Sequence, residues 1–524
     1  MLPVRSVNRC EAGHSAKFRS RSRSRLFVSA FMSGVLVLAA CGSGDSTTSG
    51  DLPDDTLAVV NSAPFAHGSW HWNAVELGSG DTLYASNENT LNFLGSTTKL
   101  FSTGTYLDEF GADSTLETPV YSVGAREGST LTGDLVLVGA GDFILGSRGV
   151  LDGDLQYVDP DDHIYAYAIP TSRPVEADPL AGLDKLAKDV VAKGITSIEG
   201  DVLVDDRLWD PFETKEGVVT SIMVNDNLLD IVVDPGTNAG DPIAMTTRPQ
   251  TGFYEVVNEA VTSAAGSAST ATATLGAGNR VVVSGNVPVD SKQLDLTVFA
   301  PDPATYARAL FIEALRRAGV TIDTPLDNAT GTLPADSAYT DASKVASLVS
   351  PPTSILTKLV LKISHNRGAE TLLCLLAVKA GSRECEDGLT TVIDKFAPAG
   401  IDPGTVEIYD GEGSDPASAT PSAMVRWLTW IHDQPWGDKL KEGLPDINHD
   451  GKILVKSGLS ARPDVGAMQS MFVAAGQAGY MTTASGKELV VAFYALNGVY
   501  TTFADGLASF PPTAKVLTQI QLDN

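Results

Sequence analysis

Apolar and polar positions alternate over Trp70–Leu77, the period of a strand with one buried face. Gly78-Ser79-Gly80-Asp81 then turns the chain, and Thr82–Ala85 returns as the second arm of a hairpin. From Leu94 the pattern changes: Leu94-Gly95-Ser96-Thr97-Thr98-Lys99-Leu100-Phe101 opens a helix that runs towards Phe110. Between about residues 119 and 344 the texture is of short strands broken by Gly, Asp and Pro turns, with Gly133–Val138 and Ile198–Val204 the clearest strands. Two helical patterns interrupt them, Pro179–Lys193 and Pro303–Gly319. From 345 onward helices dominate, including an apolar run over Ala369–Ala380. A strand hairpin follows, Tyr480–Thr483 and Glu488–Leu496 around Ser485-Gly486, and then a helix near the C-terminus. Heptads and fixed-period repeats are absent. This order predicts an α/β (α+β) fold in which a strand-rich stretch, 119–344, is inserted into a domain made of 56–118 and 345–524.

Composition adds a compartment. The 524 residues carry a net charge of -27, with 43% hydrophobic and 19% charged residues, as expected of a folded chain of several domains. An acidic surface repels phosphate, which excludes nucleic acid as a partner. The charge is unevenly spread. Arg5, Arg9, Lys17, Arg19, Arg21, Arg23 and Arg25 lie in the first 40 residues, against the single acidic Glu11; without them the remainder stands at -33. The basic run leads into apolar Leu26–Ala40, shorter than the ~20 residues of a membrane span, which is the pattern of a secretory signal. Leu38-Ala39-Ala40-Cys41 resembles the bacterial lipoprotein box, in which the cysteine is lipidated. Residues 1–40 are therefore expected to be a removed leader, and 41–55 a tether holding an exported protein to a membrane, facing the periplasm or cell wall. Of four cysteines, Cys10 goes with the leader and Cys41 carries lipid. Cys374 and Cys385 remain, with a turn at Gly381 that lets them meet as a disulfide or stay as buried thiols.

Three short motifs carry chemistry. In Ser96-x-x-Lys99 the i, i+3 spacing places an amine beside a hydroxyl on one helix face, near the positive end of the helix dipole. The apolar flank of Leu94, Leu100 and Phe101 is suited to desolvating Lys99 and lowering its pKa towards that of a working base. Ser364-His365-Asn366 precedes the 369–380 helix, where its hydroxyl and amide can face a cleft or simply cap the helix. Lys456-Ser457-Gly458, after Ile453-Leu454-Val455, reads as an edge strand that can bind a carboxylate and let a peptide backbone approach at the glycine. Each alone is equally a cap, a turn or a solvated lysine.

Their order, Ser-x-x-Lys, Ser-x-Asn, Lys-Ser-Gly, is the signature of penicillin-recognising serine enzymes. The 268 positions from Ser96 to Ser364 make the chain similar to the low-molecular-mass class C penicillin-binding proteins, the D-alanyl-D-alanine carboxypeptidase/endopeptidase family. The stretches Gly133–Gly139, Ile198–Val202, Val224-Asn225-Asp226-Asn227 and Ser350-Pro351-Pro352 share in the resemblance, which covers roughly residues 65 to 510. It implies a β-lactamase/transpeptidase-like catalytic domain, an antiparallel sheet flanked by helices and split by the insertion. It also implies peptidoglycan stem peptides as substrate, β-lactams as covalent inhibitors and no cofactor. By the same resemblance Ser96 is the nucleophile, Lys99 its base, Ser364 the proton relay and Asn366 a holder of substrate backbone. Lys456, Ser457 and Gly458 bind the terminal carboxylate and strand, and Leu459 N–H joins that of Ser96 in an oxyanion hole. Three positions depart from the family: Asp410-Gly411-Glu412-Gly413-Ser414-Asp415 stands where Asp-Gly-Ser-Gly-Leu-Ser is usual, His365 where Asp is usual, and Ser457 where Thr is typical.

Two other groupings give weaker signals. Asp446-Ile447-Asn448-His449-Asp450-Gly451 resembles half a calcium loop, but its twelfth position is Ser457, so a polar turn is expected. His67 and His71, which cluster with Trp70 and Trp72, lack a third ligand nearby in sequence; alternate packing on a strand accounts for them, and no metal site is expected. Two other functions fit the same motifs: a β-lactamase or esterase on the same fold, and a wall-binding lipoprotein without activity.

Overall fold

The computed structural model describes residues 52–151, 153–159, 162–464, 469–500 and 510–524; the expected leader, Cys41 and most of the expected tether lie outside them. Ser49–Asn524 forms one compact unit. Its centre is an antiparallel five-stranded sheet in the order Thr82–Ser86, Ser69–Glu76, Glu488–Tyr500, Gln469–Thr482, Ile453–Asp464. The first hairpin and the last three strands, separated by more than 350 positions, thus make one sheet.

Alternation along Glu488–Tyr500 divides the core in two. Val490, Ala492 and Tyr494 join a cluster with helix residues Leu372, Trp427 and Leu428, whereas Leu489, Val491 and Phe493 face Phe65, Trp70 and the C-terminal helix residues Val516, Leu517 and Ile520. Both faces are covered, so these strands read as nearly continuous apolar runs. The strand Gln469–Thr482 begins well before the expected Tyr480; Ala474-Ala475-Gly476-Gln477-Ala478-Gly479 is poor in residues that favour strands, which hid this part of it from the sequence pattern. The small residues have a packing reason. A Cβ at Gly476 would lie 2.3 Å from the Tyr494 ring, and one at Gly479 would lie 2.1 Å from the Leu454 carbonyl oxygen.

One helix, Lys99–Phe110, is buried from Lys99 to Leu107 and runs through the larger core. Trp427 Nε1 donates to the Leu100 carbonyl at 2.9 Å and its ring lies 5.1 Å from that of Phe101. The middle of the chain builds smaller sheets and the helices Ala181–Ala192 and Pro303–Arg317, close to the expected helical patterns. Strands Glu117–Val123 and Lys344–Val349 pair antiparallel, so the chain leaves and re-enters the helical part side by side. The single strand expected over Ile198–Val204 is in fact two, Ser197–Ile198 and Val202–Asp205, in different sheets. The break is at Gly200, where a Cβ would meet the Gly133 carbonyl oxygen at 2.4 Å, and at buried Asp201, whose carboxylate accepts from Arg308 and from the Thr330 and Gly331 amides.

Residues 446–451 form the expected polar turn, closed by the Asp446 carboxylate accepting from the Asn448 and Gly451 amides. Among the described residues no helix is long and apolar enough to cross a membrane. Cys374, within the helix Asn366–Lys379, is disulfide-bonded to Cys385. The bridge closes a short loop (sequence separation 11), for which the chain-entropy account gives about 2–3 kcal/mol. A Cys374→Ala/Cys385→Ala double variant should lose about that much stability in urea unfolding under non-reducing conditions; an unchanged midpoint would contradict it.

Candidate active site

Residues Gly95–Thr98 form a 3₁₀ turn that feeds into the helix at Lys99, so Ser96 sits just ahead of a helix N-terminus. Gly95 has φ +49°, and a Cβ there would lie 2.6 Å from the Leu459 amide nitrogen. A Cβ at Gly458 would lie 2.1 Å from the Leu94 carbonyl oxygen and 3.1 Å from the Ser96 amide nitrogen. Two glycines therefore let the edge strand Ile453–Asp464 press directly on the turn that carries Ser96. The expected strand placement of Lys456, Ser457, Gly458 and Leu459 is what brings them there.

Lys99 has no exposure, and its Nζ has three partners: Ser96 Oγ at 2.9 Å, Asn366 Oδ1 at 2.6 Å and the Glu412 carbonyl oxygen at 2.8 Å. Leu94, Leu100 and Phe101 are all buried beside it, as their sequence suggested. Burial lowers the Lys99 pKa to about 8, against the opposing charges of Glu412, Glu216, Asp410 and Glu370. A neutral amine has two N–H groups and one lone pair. Asn366 Oδ1 and the Glu412 carbonyl can only accept, so the lone pair is left facing the Ser96 hydroxyl.

The Glu412 carbonyl is held by its loop. Buried Glu370 accepts from the Gly411 and Glu412 amides at 2.9 and 2.8 Å, and Ser102 Oγ donates to the Gly411 carbonyl at 2.9 Å. Burial, with Asp410 and Glu412 nearby, raises the Glu370 pKa well above the carboxylate range. Gly413, at φ +99°, lies so close to Gly95 that a Cβ would be 1.9 Å from its carbonyl oxygen. This segment acts on Lys99 through its backbone, which explains how Glu can stand at 412. An acidic cavity of about 520 Å³ lies between this loop, at Asp410, Glu412 and Ser414, and Lys215 from the middle of the chain.

Ser364, His365 and Asn366 are drawn to the same place, and the cap is His365 rather than Ser364 or Asn366. Its side chain accepts from the Gly368 amide at 2.8 Å. That fixes the proton on Nε2, which donates to Asp226 Oδ1 at 2.6 Å. Burial lowers the His365 pKa, which keeps the ring neutral. Asp226 also accepts from Arg148 at 3.1 Å and from His163 at 3.0 Å. Burial alone would raise its pKa, but Arg148, His365 and His163 hold it well below the usual range. Ser364 is left-handed at φ +56°, with its carbonyl accepting from Tyr165 Oη at 2.6 Å. Asn366 Nδ2 donates to Glu216 Oε1 at 2.5 Å. Ser96, Ser364 and Ser457 remain partly open to solvent.

Lys456 is buried, its Nζ donating to the Ser457 carbonyl at 2.9 Å. Burial and the charge of Lys99 lower its pKa well below that of an ordinary lysine. An incoming carboxylate would offset both.

All three motifs therefore meet. The residues not anticipated are Glu412, through its carbonyl, and Tyr165, Glu216 and Asp226. Val224-Asn225-Asp226-Asn227 had been part of the resemblance without a role; its left-handed Asn225, Asp226 and Asn227 (φ 49–53°) aim Asp226 at His365.

The model of the D-Ala-D-Ala carboxypeptidase 3 (S13) family matches residues 61–511. The chain belongs to that family. It is 26% identical over 392 residues to a D-alanyl-D-alanine carboxypeptidase of Actinomadura sp. (strain R39), an alignment covering 71% of this chain and 66%, just under two thirds, of that protein. The fold is that of penicillin binding protein 4 from Haemophilus influenzae, with TM-score 0.62, 19% identity, and coverage of 85% of this chain and 94% of that one. A second structure of the same protein, complexed with a β-lactam, gives 0.63 at 19% identity, covering 85% and 93%. A family member with a β-lactamase/transpeptidase-like fold is what the three motifs had implied.

Removing Asp226 would leave Arg148 and His163 without their shared counter-charge and the His365 ring N–H without its acceptor. Asp226→Ala should destabilise by about 3–5 kcal/mol in denaturant unfolding; a loss below about 1 kcal/mol would show that the buried network does not hold the second motif.

Proposed function

We propose that the chain is a serine D-Ala-D-Ala carboxypeptidase/DD-endopeptidase acting on peptidoglycan stem peptides. The observation that carries this is the three-way contact of buried Lys99 with Ser96, Asn366 and the Glu412 carbonyl. Neutral Lys99 takes the proton of Ser96 as its oxygen bonds to the carbonyl carbon of the penultimate D-Ala. The Ser96 and Leu459 amides face the developing oxyanion, at roughly 3–4 kcal/mol per donor. The C–N bond then breaks, Ser364 relays the proton to the leaving amine, and Asn366 holds the acyl-side backbone. Lys456 and Ser457 receive the terminal carboxylate on the edge strand. Water hydrolyses the ester on Ser96, freeing D-Ala or opening a cross-link. A β-lactam offers the same carbonyl, but its leaving amine stays tethered to the acyl group, so the ester persists.

The mature protein is in this reading an exported lipoprotein, anchored to a membrane through Cys41 and facing the periplasm or cell wall. The support is the basic, then apolar leader ending in Leu38-Ala39-Ala40-Cys41. Metabolic labelling with a lipid precursor should mark the wild type and not Cys41→Ser.

Fluorescent penicillin should label the wild type, and Ser96→Ala should lose the label entirely. Equal labelling of the two would remove Ser96 from its role. The wild type should also release free D-Ala from a pentapeptide or open cross-linked muropeptides. Fast turnover of the penicillin adduct without either product would mean a β-lactamase.

A further inference from the structure

The 3₁₀ turn His163–Tyr165 grips the second motif at two points. It is capped by buried Asp162, which Arg148 holds through two bonds of 2.9 Å. His163 reaches Asp226 at 3.0 Å, and Asp226 in turn accepts from the His365 ring at 2.6 Å. Tyr165 acts directly: its Oη donates to the Ser364 carbonyl oxygen at 2.6 Å. Burial, with the negative charge of Glu216 nearby, raises the Tyr165 pKa well above the usual tyrosine range, so the phenol keeps the proton it donates.

That contact completes the hold on one peptide unit. The peptide joining Ser364 to His365 is pinned at both ends: the His365 N–H donates to the Val360 carbonyl oxygen at 3.0 Å, and the Ser364 carbonyl accepts from Tyr165. Ser364 itself is left-handed at φ +56°, a conformation that persists only where neighbours hold it. Its hydroxyl springs from that Cα, so the direction of Oγ follows the backbone. Proton transfer is sensitive to such placement, because donor and acceptor must come within hydrogen-bond reach. Only some leaving groups need the proton. An amine must be protonated as its C–N bond breaks, whereas a thiolate departs with the electron pair of the C–S bond and takes its proton from water afterwards.

We propose that Tyr165 is a positioning residue for the leaving-group proton: by pinning the Ser364 carbonyl it aims the Ser364 hydroxyl at the departing nitrogen, and so favours acyl donors with an amine leaving group over those that need no proton. In that step the Ser96 oxygen bonds to the carbonyl carbon, the C–N bond breaks, and the proton that Lys99 took from Ser96 passes through Ser364 to the nitrogen. Tyr165 touches none of the reacting atoms. The proposal rests on the acyl-transfer reading above.

A matched pair of substrates separates the proton from the rest of the reaction: an N-acylated D-alanyl-D-alanine, and the thioester in which sulfur replaces its scissile N–H. Both present the same acyl group, and the same terminal carboxylate to Lys456. The readout is the ratio of kcat/KM for the amide to that for the thioester, measured on the full chain for wild type, Tyr165→Phe, Ser364→Ala and the double variant. Tyr165→Phe should lower the ratio by about tenfold, a part of what a placed proton donor contributes. In the Ser364→Ala background the same change should lower it no further. A general loosening of the site would slow both substrates alike; an unchanged ratio therefore overturns the proposal while acyl transfer stands. So does a further fall in the Ser364→Ala background, or a wild type that cleaves the thioester alone. If the wild type cleaves neither substrate, the acyl-transfer reading itself fails and takes the proposal with it. Should the Phe variant not fold, 3-fluorotyrosine at position 165 keeps the ring and hydroxyl but strengthens the donor. A shifted ratio then supports the role, and the wild-type ratio overturns it.

Discussion

A lysine amine with no access to water must find all its partners inside the protein, and this requirement organises the site around Lys99. Two of the three partners can only accept hydrogen bonds, and the third is the Ser96 hydroxyl. Holding the two acceptors still is the task of structure far away in sequence. The Glu412 carbonyl is fixed by Glu370 and by the tight approach of Gly413 to Gly95. Asn366 Oδ1 is fixed by the helix it begins and by Glu216 on its other end. Burial then lowers the Lys99 pKa, so the packing that places the base also adjusts it.

The middle of the chain takes part in this constraint. Tyr165 holds the Ser364 carbonyl, Asp226 the His365 ring and Glu216 the Asn366 amide. Each residue of the second motif is thus secured by one residue from the 119–344 stretch. Left-handed Ser364 needs such support, since a non-glycine residue there is held only by its surroundings. At His365, where Asp is usual, a ring N–H donates to the carboxylate of Asp226.

What the sequence made legible followed from local spacing. Ser96 and Lys99 are three apart on one turn, the apolar flank of Lys99 is contiguous, and Lys456-Ser457-Gly458 continues an apolar strand, so pattern alone placed them. The helices near Pro179–Lys193 and Pro303–Gly319 were equally plain because their apolar period is uninterrupted. Contacts between distant segments left no such trace. The Lys99 partner at Glu412 is 313 positions away and works through a backbone carbonyl, which any residue could supply. Asn366 and Glu216 are 150 apart, and His365 and Asp226 139. The strand expected across Ile198–Val204 failed for a similar reason: its break at Gly200 is dictated by a close approach to Gly133, a residue far back in the chain.

If burial is what makes Lys99 a base, its ionisation must be visible in the chemistry of Ser96. Acylation requires the neutral amine, so its rate should be low where Lys99 holds its proton and rise as the proton is lost. The decisive measurement is the second-order rate of β-lactam acylation across pH on the wild type. A single rise with a midpoint at about 8 is the expected result. A midpoint near the ordinary lysine value of 10.5, or a rate independent of pH through this range, would contradict the account of Lys99 as the buried base of Ser96.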